Sequence, residues 1–228
     1  MATLVPRVAS GKHLWHTPDV QREGAGLGVS RPLLAVAVLS LSGFLALAVI
    51  ASAKHFFDLD YSARDLVQLA HVPLLDPAMN GISGLGENYG LIPLIALGVA
   101  LLWRRSRRWA VVLPLLMAGT GGLQFAAKWA VDRPRPNLAA WGFPSGHVLA
   151  LVVFFGLMIY LLCTSTLTRR QRWLGSAGCA ATVLAVAFSR LYLEAHWVSD
   201  VAGGFTLGIA YLLPAICLVE TVAGRHAG

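Results

Sequence analysis

The chain has 228 residues, of which 57% are hydrophobic and 13% charged, and its formal net charge is +7. A soluble domain is about 45–50% apolar and about 25% charged, so this composition excludes an ordinary water-facing globule and also a disordered chain. The mean hydropathy of +0.66 indicates an integral membrane protein, and at roughly 20 residues per span the length allows one domain of about six spans.

The segments at the two ends of the chain are polar. The first apolar run begins only at Pro32, which is too late for the apolar region of a secretory signal. We therefore expect residues 1–30 to form a mobile cytoplasmic tail, residues 31–222 to form the membrane domain, and residues 223–228 to form a second cytoplasmic tail.

Six apolar runs predict an all-α, polytopic membrane protein with six transmembrane helices in a bundle. The runs cover approximately residues 33–53, 89–103, 109–131, 148–163, 173–189 and 201–219. The second run is the least clear, because Glu87 and Asn88 stand at its start. The runs hold one charged residue, Lys128, near the end of the third.

The segments between the runs alternate in charge. Four arginines lie in 104–108 and three in 164–172, whereas acidic residues outnumber basic ones in 54–88. The positive-inside rule then predicts that both termini are cytoplasmic and that the segments 54–88, 132–147 and 190–200 face outward. We expect the protein to lie in a bacterial-type inner membrane. The basic excess is explained by the positive-inside rule, so we expect no nucleic-acid partner.

The long outward segment 54–88 mixes apolar and charged residues. This pattern predicts a short amphipathic helix in the membrane interface. Pro73 and Pro77 would limit its length.

Three polar clusters fall on the outward side, at residues 128–136, 144–147 and 189–200. Lys128, Arg135 and Arg190 are cations where the positive-inside rule disfavours them, and binding a phosphate-like anion would explain their placement. Ser145 can cap the helix that follows, whose first N–H groups attract anions. Gly146 lets the backbone approach a ligand.

Two histidines in these clusters are candidates for catalysis. His196 and Asp200 are four residues apart, so on a helix they would share one face. Asp200 could then hold one ring nitrogen of His196 and leave the other free to attack. His147 could act as a general acid–base. These roles predict a phosphoryl-transfer site at the extracytoplasmic membrane surface.

These clusters resemble the signature of the type 2 phosphatidic acid phosphatase family, whose superfamily includes the vanadium haloperoxidases. That signature is K-x6-R-P, then P-S-G-H, then S-R-x5-H-x3-D. In this sequence Lys128 is followed after six residues by Arg135-Pro136, residues 144–147 read PSGH, and residues 189–200 fit the third part.

The resemblance implies a role for each matching residue. His196 would form a phosphohistidine, Asp200 would orient it, and His147 would protonate the leaving group and later activate water. The residues implied to hold the phosphoryl oxygens are Lys128, Arg135, Ser145, Gly146 (through its N–H) and Arg190. Arg133, which repeats the Arg-Pro pair, is a candidate for an additional contact. The family needs no metal, and we expect no cofactor here.

We therefore expect an integral membrane phosphatase that acts on a lipid phosphate or lipid pyrophosphate. Undecaprenyl pyrophosphate is the first substrate suggested, followed by phosphatidylglycerophosphate, phosphatidate and lipid A phosphates. The alternatives are a phosphatase of a small soluble phosphoester, a haloperoxidase, which the apolar spans disfavour, and a transporter, which the lack of mid-span charge disfavours. The sequence does not indicate an oligomeric state.

Overall fold

The computed structural model describes residues 26–225, with side chains for residues 31–223. Within this range the chain forms eight α-helices and no β-strand, which confirms the all-α prediction. In chain order the helices are α1 (Gly26–Ser52), α2 (Asp58–Leu69), α3 (Asp76–Ser83), α4 (Asn88–Trp103), α5 (Arg107–Val131), α6 (Gly146–Cys163), α7 (Arg169–Tyr192) and α8 (Val198–Arg225).

Five helices are long and apolar enough to cross a membrane, and they match the first and the third to sixth predicted runs. These spans are Arg31–Ser52, Arg107–Val131, Gly146–Cys163, Arg169–Tyr192 and Val198–Ala223. The remaining run forms α4, whose 16 residues extend over about 24 Å, less than the ~30 Å hydrocarbon core. α4 meets the segment Pro73–Gly86 at a bend of 51°, and the two together are long and apolar enough to form a broken span or a re-entrant loop.

The helical part of the chain is longer at both ends than the predicted membrane domain of residues 31–222. α1 begins at Gly26, so residues 26–30 of the predicted N-terminal tail belong to the first helix. α8 continues to Arg225, into the predicted tail 223–228. The rest of these two predicted tails, residues 1–25 and 226–228, lies outside the described residues.

α6 lies at the centre of the bundle, where it packs against α5, α7 and α8. Val148, Leu149, Leu151 and Val153 on this helix are completely buried. α8 comes very close to the start of α6 at Gly204. A Cβ atom at this position would lie only 2.7 Å from the carbonyl oxygen of Ser145. This packing holds the first turn of α6 against the first turns of α8.

Segment 54–88, which the charge pattern predicts to face outward, contains the predicted amphipathic helix, α2, and a second short helix, α3. α2 ends at Leu69, before a 3₁₀ turn at Pro73–Leu75. Asp60 on α2 is buried, whereas three leucines of the same helix are exposed (Leu59, Leu66 and Leu69). The hydroxyl of Tyr192 donates to the carbonyl oxygen of Val72 and accepts from its N–H, both at 2.8 Å. The segment is therefore fastened to the end of α7.

The charge pattern predicts that the connection between α5 and α6 faces outward and that the connection between α6 and α7 is cytoplasmic. To test this orientation, Cys163, Cys179 and Cys217 are first replaced by serine. Ala139→Cys, which is exposed in the first connection, should then react with a membrane-impermeant thiol reagent in intact cells or spheroplasts. Thr166→Cys, exposed in the second connection, should react only after the membrane is opened. The reverse pattern would invert the topology.

Candidate active site

The three polar clusters meet at one end of the bundle, which we call the motif end. It carries the ends of α5 and α7, the starts of α6 and α8, and the connections 132–145 and 193–197. The N–H of Ser145 donates to the carbonyl oxygen of Asp200 at 2.9 Å. Lys128, near the end of α5, lies within electrostatic range of Arg135, Arg190 and Asp200. The structure thus brings the sequence-predicted residues of four helices together.

His196 and Asp200 face each other at the start of α8. α8 begins at Val198, so His196 precedes the helix instead of sharing its face as the four-residue spacing predicted. Asp200 reaches back from the first turn, and its Oδ2 accepts from the N–H of Trp197 at 3.0 Å. The same oxygen lies 3.5 Å from Nδ1 of His196, which has no other protein partner among the described residues. Such pairs often shorten only when substrate is bound.

Burial controls the protonation of His196, whose side chain is 2% exposed. Burial lowers the pKa of His196 from its ordinary 6.5 to about 4; the carboxylate of Asp200 opposes this change, and the positive charges of Arg190 and Lys128 add to it. The imidazole is therefore neutral at physiological pH. A neutral ring has a free lone pair, which a nucleophile requires.

Ser145 occupies the N-cap position of α6, but its hydroxyl does not cap the helix. Its side chain makes no capping hydrogen bond, so the capping prediction is wrong. The backbone of Ser145 is held on both sides instead, through Asp200 and through its carbonyl oxygen, which accepts from the N–H of Leu149 at 3.0 Å. Its hydroxyl is completely buried and has no hydrogen-bond partner among the described residues.

Other motif residues also present buried donors without a protein partner. Nε of Arg135 and Nε of Arg190 are buried and have no acceptor within the described part of the chain. Buried polar groups are rarely left unpaired. Lys128 donates to the carbonyl oxygen of Trp141, and Arg190 donates to the hydroxyl of Ser83. Gly146 is the first residue of α6, where N–H groups have no acceptor within the helix. These donors suit the oxygens of a phosphoryl group.

His147 contacts a carboxylate that the sequence did not assign to the site. Its Nε2 lies 2.9 Å from Oε1 of Glu87, and the two side chains are 14% and 48% exposed. Glu87 lies at the break that precedes α4. Gly86 beside it permits this approach, because a Cβ atom there would lie 2.6 Å from Cδ2 of His147.

Arg133 is the most enclosed cation of the motif end, with 1% of its side chain exposed. Its Nη1 donates to Asp200 Oδ1 at 2.9 Å and to Ser199 Oγ at 2.6 Å. Its Nη2 donates to Asp60 Oδ2 at 2.9 Å and to the carbonyl oxygen of His55 at 3.2 Å. The terminal nitrogens thus contact protein acceptors, although the sequence suggested Arg133 as an additional phosphate contact.

The family model described as the PAP2 superfamily matches residues 109–223, half of the chain and all three motifs. The chain belongs to the PAP2 superfamily. It is 32% identical to phosphatidylglycerophosphatase B of Bacillus subtilis over 183 residues, which cover 74% of this chain and 89% of that protein. It is 29% identical to undecaprenyl-diphosphatase of Sulfolobus acidocaldarius over 157 residues, which cover 63% of this chain and 70% of the relative.

The fold is also that of a solved PAP2 protein. The crystal structure of a transmembrane PAP2-type phosphatidylglycerolphosphate phosphatase from Bacillus subtilis matches with a TM-score of 0.68 at 25% identity, and the match covers 82% of this chain and 96% of that one. The protein is therefore an integral membrane phosphatase of the PAP2 type.

Three polar residues of this PAP2 site come from segment 54–88 and were missed by the sequence reasoning. They are Asp60, Ser83 and Glu87, which contact Arg133, Arg190 and His147 respectively. One signal pointed to Glu87, an acidic residue at the start of an apolar run. Asp60 and Ser83 carried no comparable signal, because each is an ordinary helix residue in the sequence.

We predict that Glu87→Gln lowers kcat for phosphate release. A general acid–base raises the reaction rate about 10²- to 10⁴-fold. Loss of the carboxylate that orients His147 should lower kcat about tenfold, which is part of this factor. Glu220→Gln is the control, since Glu220 pairs with Arg108 at 3.0 Å at the opposite end of the bundle, and it should keep the rate. An unchanged kcat in Glu87→Gln would exclude a role for this contact.

The buried position of His196 predicts where kcat/KM falls in acid. Because the pKa of His196 is lowered to about 4, the ring stays unprotonated down to that pH, and the enzyme's acid limb should lie near pH 4. A phosphate monoester loses its second proton near pH ~6 and adds a limb of its own. Two substrates whose phosphates differ in acidity separate the two limbs. A limb near pH 6.5 that does not move with the substrate would contradict a buried, neutral His196.

Proposed function

We propose that the chain removes a phosphate group from a lipid phosphate or lipid pyrophosphate through a phosphohistidine on His196. The observation that carries this proposal is the setting of His196. Its ring is kept neutral by burial, faces the carboxylate of Asp200 at 3.5 Å, and lies within range of Arg190 and Lys128. Such a ring can attack without first losing a proton, and the cations can offset the charge that develops on the phosphoryl oxygens.

In the proposed reaction the Nε2 lone pair of His196 attacks phosphorus, and the bond from phosphorus to the leaving-group oxygen breaks. His147 donates a proton to that oxygen. His147 then accepts a proton from water, whose oxygen attacks the phosphohistidine and releases inorganic phosphate. Asp200 accepts a hydrogen bond from Nδ1 throughout, which stabilises the phosphorylated ring. The hydroxyl of Ser145 and the N–H of Gly146 donate to the phosphoryl oxygens.

The surface around the site supports a lipid substrate over a small soluble phosphoester. Phe125 and Trp129 flank Lys128 on the last turns of α5 and are 62% and 74% exposed. Leu138, in the connection that follows, is 87% exposed. Aromatic side chains of this kind are typical of the boundary between headgroups and acyl chains. A lipid could present its phosphate to the motif end from the outer leaflet while its chain stays in the bilayer.

Two lipid headgroups are proposed as substrates. Undecaprenyl pyrophosphate is the first prediction from the sequence, and one relative carries the name undecaprenyl-diphosphatase. The relative with 32% identity carries the name phosphatidylglycerophosphatase B, which adds phosphatidylglycerophosphate. Both headgroups end in a phosphate that the same cations can bind.

The proposal predicts that His196→Ala abolishes phosphate release by the purified, folded protein. Brief reaction with a ³²P-labelled lipid phosphate, followed by alkaline quenching, should trap acid-labile label on the wild type and none on His196→Ala. His71→Ala is the matched control, because His71 lies in the outward segment and pairs with Asp76 at 2.9 Å. It should keep near-normal turnover. Near-normal turnover in His196→Ala would exclude the proposed nucleophile.

The same assay identifies the substrate class. The panel contains undecaprenyl pyrophosphate, phosphatidylglycerophosphate, phosphatidate and a soluble phosphomonoester, each with and without chelator. We expect turnover of at least one lipid that persists in chelator. Faster turnover of the soluble ester than of every lipid would contradict the lipid assignment, and loss that only a divalent ion restores would contradict the mechanism.

A further inference from the structure

The motif end contains a buried ion cluster of which the proposed reaction uses only Asp200 directly. The guanidinium of Arg133 bridges two carboxylates, donating to Asp60 and to Asp200 at 2.9 Å each. The side chains of Arg133 and Asp60 are both 1% exposed and that of Asp200 is 0% exposed. A buried ionised carboxylate is costly unless it is paired and hydrogen-bonded. The cluster therefore serves to keep a charged Asp200 in a fixed orientation.

The geometry divides the two oxygens of Asp200 between two tasks. Oδ1 accepts from Arg133, whereas Oδ2 accepts from the N–H of Trp197 and faces Nδ1 of His196. If Arg133 were displaced, Oδ1 would lose its partner and the carboxylate could rotate away from His196. The position of the nucleophile thus depends on Arg133.

Asp60 in turn fixes Arg133 and the start of α8. Its Oδ2 accepts from Arg133 Nη2 and from Ser199 Oγ, and its Oδ1 accepts from the N–H of Ser199, all between 2.8 and 2.9 Å. Phe56, two residues before the start of α2, covers the guanidinium with its ring centroid 4.5 Å away, a favourable cation–π contact. The outward helix α2 therefore closes the cluster from outside the spanning bundle.

We propose that Arg133 and Asp60 are positioning residues, which hold Asp200 and through it His196, and that α2 is thereby a functional part of the active site. The proposal rests on the proposed role of His196 as the nucleophile. It assigns Arg133 a positioning task, because both terminal nitrogens contact protein acceptors and only its buried Nε has no partner among the described residues. The other charged groups near His196 are Asp200 from α8, Arg190 from α7 and Lys128 from α5.

The test is a double-mutant cycle between Arg133→Lys and Asp200→Asn, with steady-state kinetics on a lipid phosphate in detergent. Lysine keeps the charge but cannot reach both carboxylates. Arg133→Lys should lower kcat about 30- to 100-fold, the scale of a misplaced reacting group, and should leave KM within about threefold. In the Asp200→Asn background the same substitution should cost about threefold or less, because contacts that act through one group are not additive.

A matched control and a second variant separate positioning from folding. Arg64→Gln removes an ion pair between α2 and Glu194 at 2.7 Å, with side chains 39% and 32% exposed, and should change kcat by less than about twofold. Asp60→Asn keeps the shape of the side chain and an acceptor for Ser199. Asp60→Asn should show the same loss of kcat at unchanged KM. It therefore still tests the proposal when Arg133→Lys does not fold.

Several outcomes would overturn the proposal. One is that Arg133→Lys lowers kcat in the Asp200→Asn background by as large a factor as in the wild type. Another is a raised KM with normal kcat, which would make Arg133 a substrate contact. A third is wild-type kcat in both Arg133→Lys and Asp60→Asn. Measuring His196→Ala in the same assay separates the two proposals: if that variant is active, the nucleophile assignment fails, whereas if it is inactive while Arg133→Lys is fully active, only the positioning role fails.

Discussion

The hydrogen bonds of Asp200 are the interactions on which the rest of the site depends. The backbone carbonyl oxygen of Asp200 accepts from Ser145 at the start of α6. Its side-chain Oδ1 accepts from Arg133, which follows α5, and its Oδ2 faces His196. The three sequence motifs therefore converge on one residue that is completely buried. Burying an ionised group costs about several kcal/mol even after the protein around it has relaxed. Only a full set of hydrogen-bond donors offsets this cost. Loss of any of these donors would weaken the geometry of all three motifs.

Helix packing supplies the geometry that this carboxylate requires. α6 is buried on nearly every side at its start, and α8 approaches it because Gly204 has no side chain. Close packing of apolar helices makes the interior resistant to small displacements. The first turns of α6 and α8 therefore stay aligned, with Gly146 and His147 on one and Asp200 on the other. The ends of α5 and α7 supply Lys128 and Arg190, and the connections supply Arg135 and His196, the proposed nucleophile.

The sequence predicted those parts of the protein that depend on local pattern. Apolar runs predicted the spans, and the fixed spacing of the motifs placed Lys128, Arg135, His147 and His196 at one end of the bundle. The break at Glu87 was signalled only indirectly, by an acidic residue at the start of a short run. The contact of Asp60 with Arg133 joins residues 73 positions apart, and no periodicity encodes such a pair. The hydroxyl of Ser145 was assigned to a cap because its position favours one, but the fold leaves it without that bond.

The two histidines of the site stand in different surroundings, and the difference suits different tasks. His196 is enclosed, and its carboxylate partner is itself buried and paired with Arg133. His147 is partly exposed, and its partner Glu87 is half exposed. A nucleophile gains from shielding, because a buried imidazole stays neutral and the surrounding cations act more strongly in a low dielectric. A general acid–base must exchange protons with water between its two steps, so it needs access to solvent. The proposed roles of His196 as a shielded nucleophile and of His147 as a solvent-linked proton carrier fit this difference in exposure. Segment 54–88 contacts both parts of the site, through Asp60 on one side and Glu87 on the other.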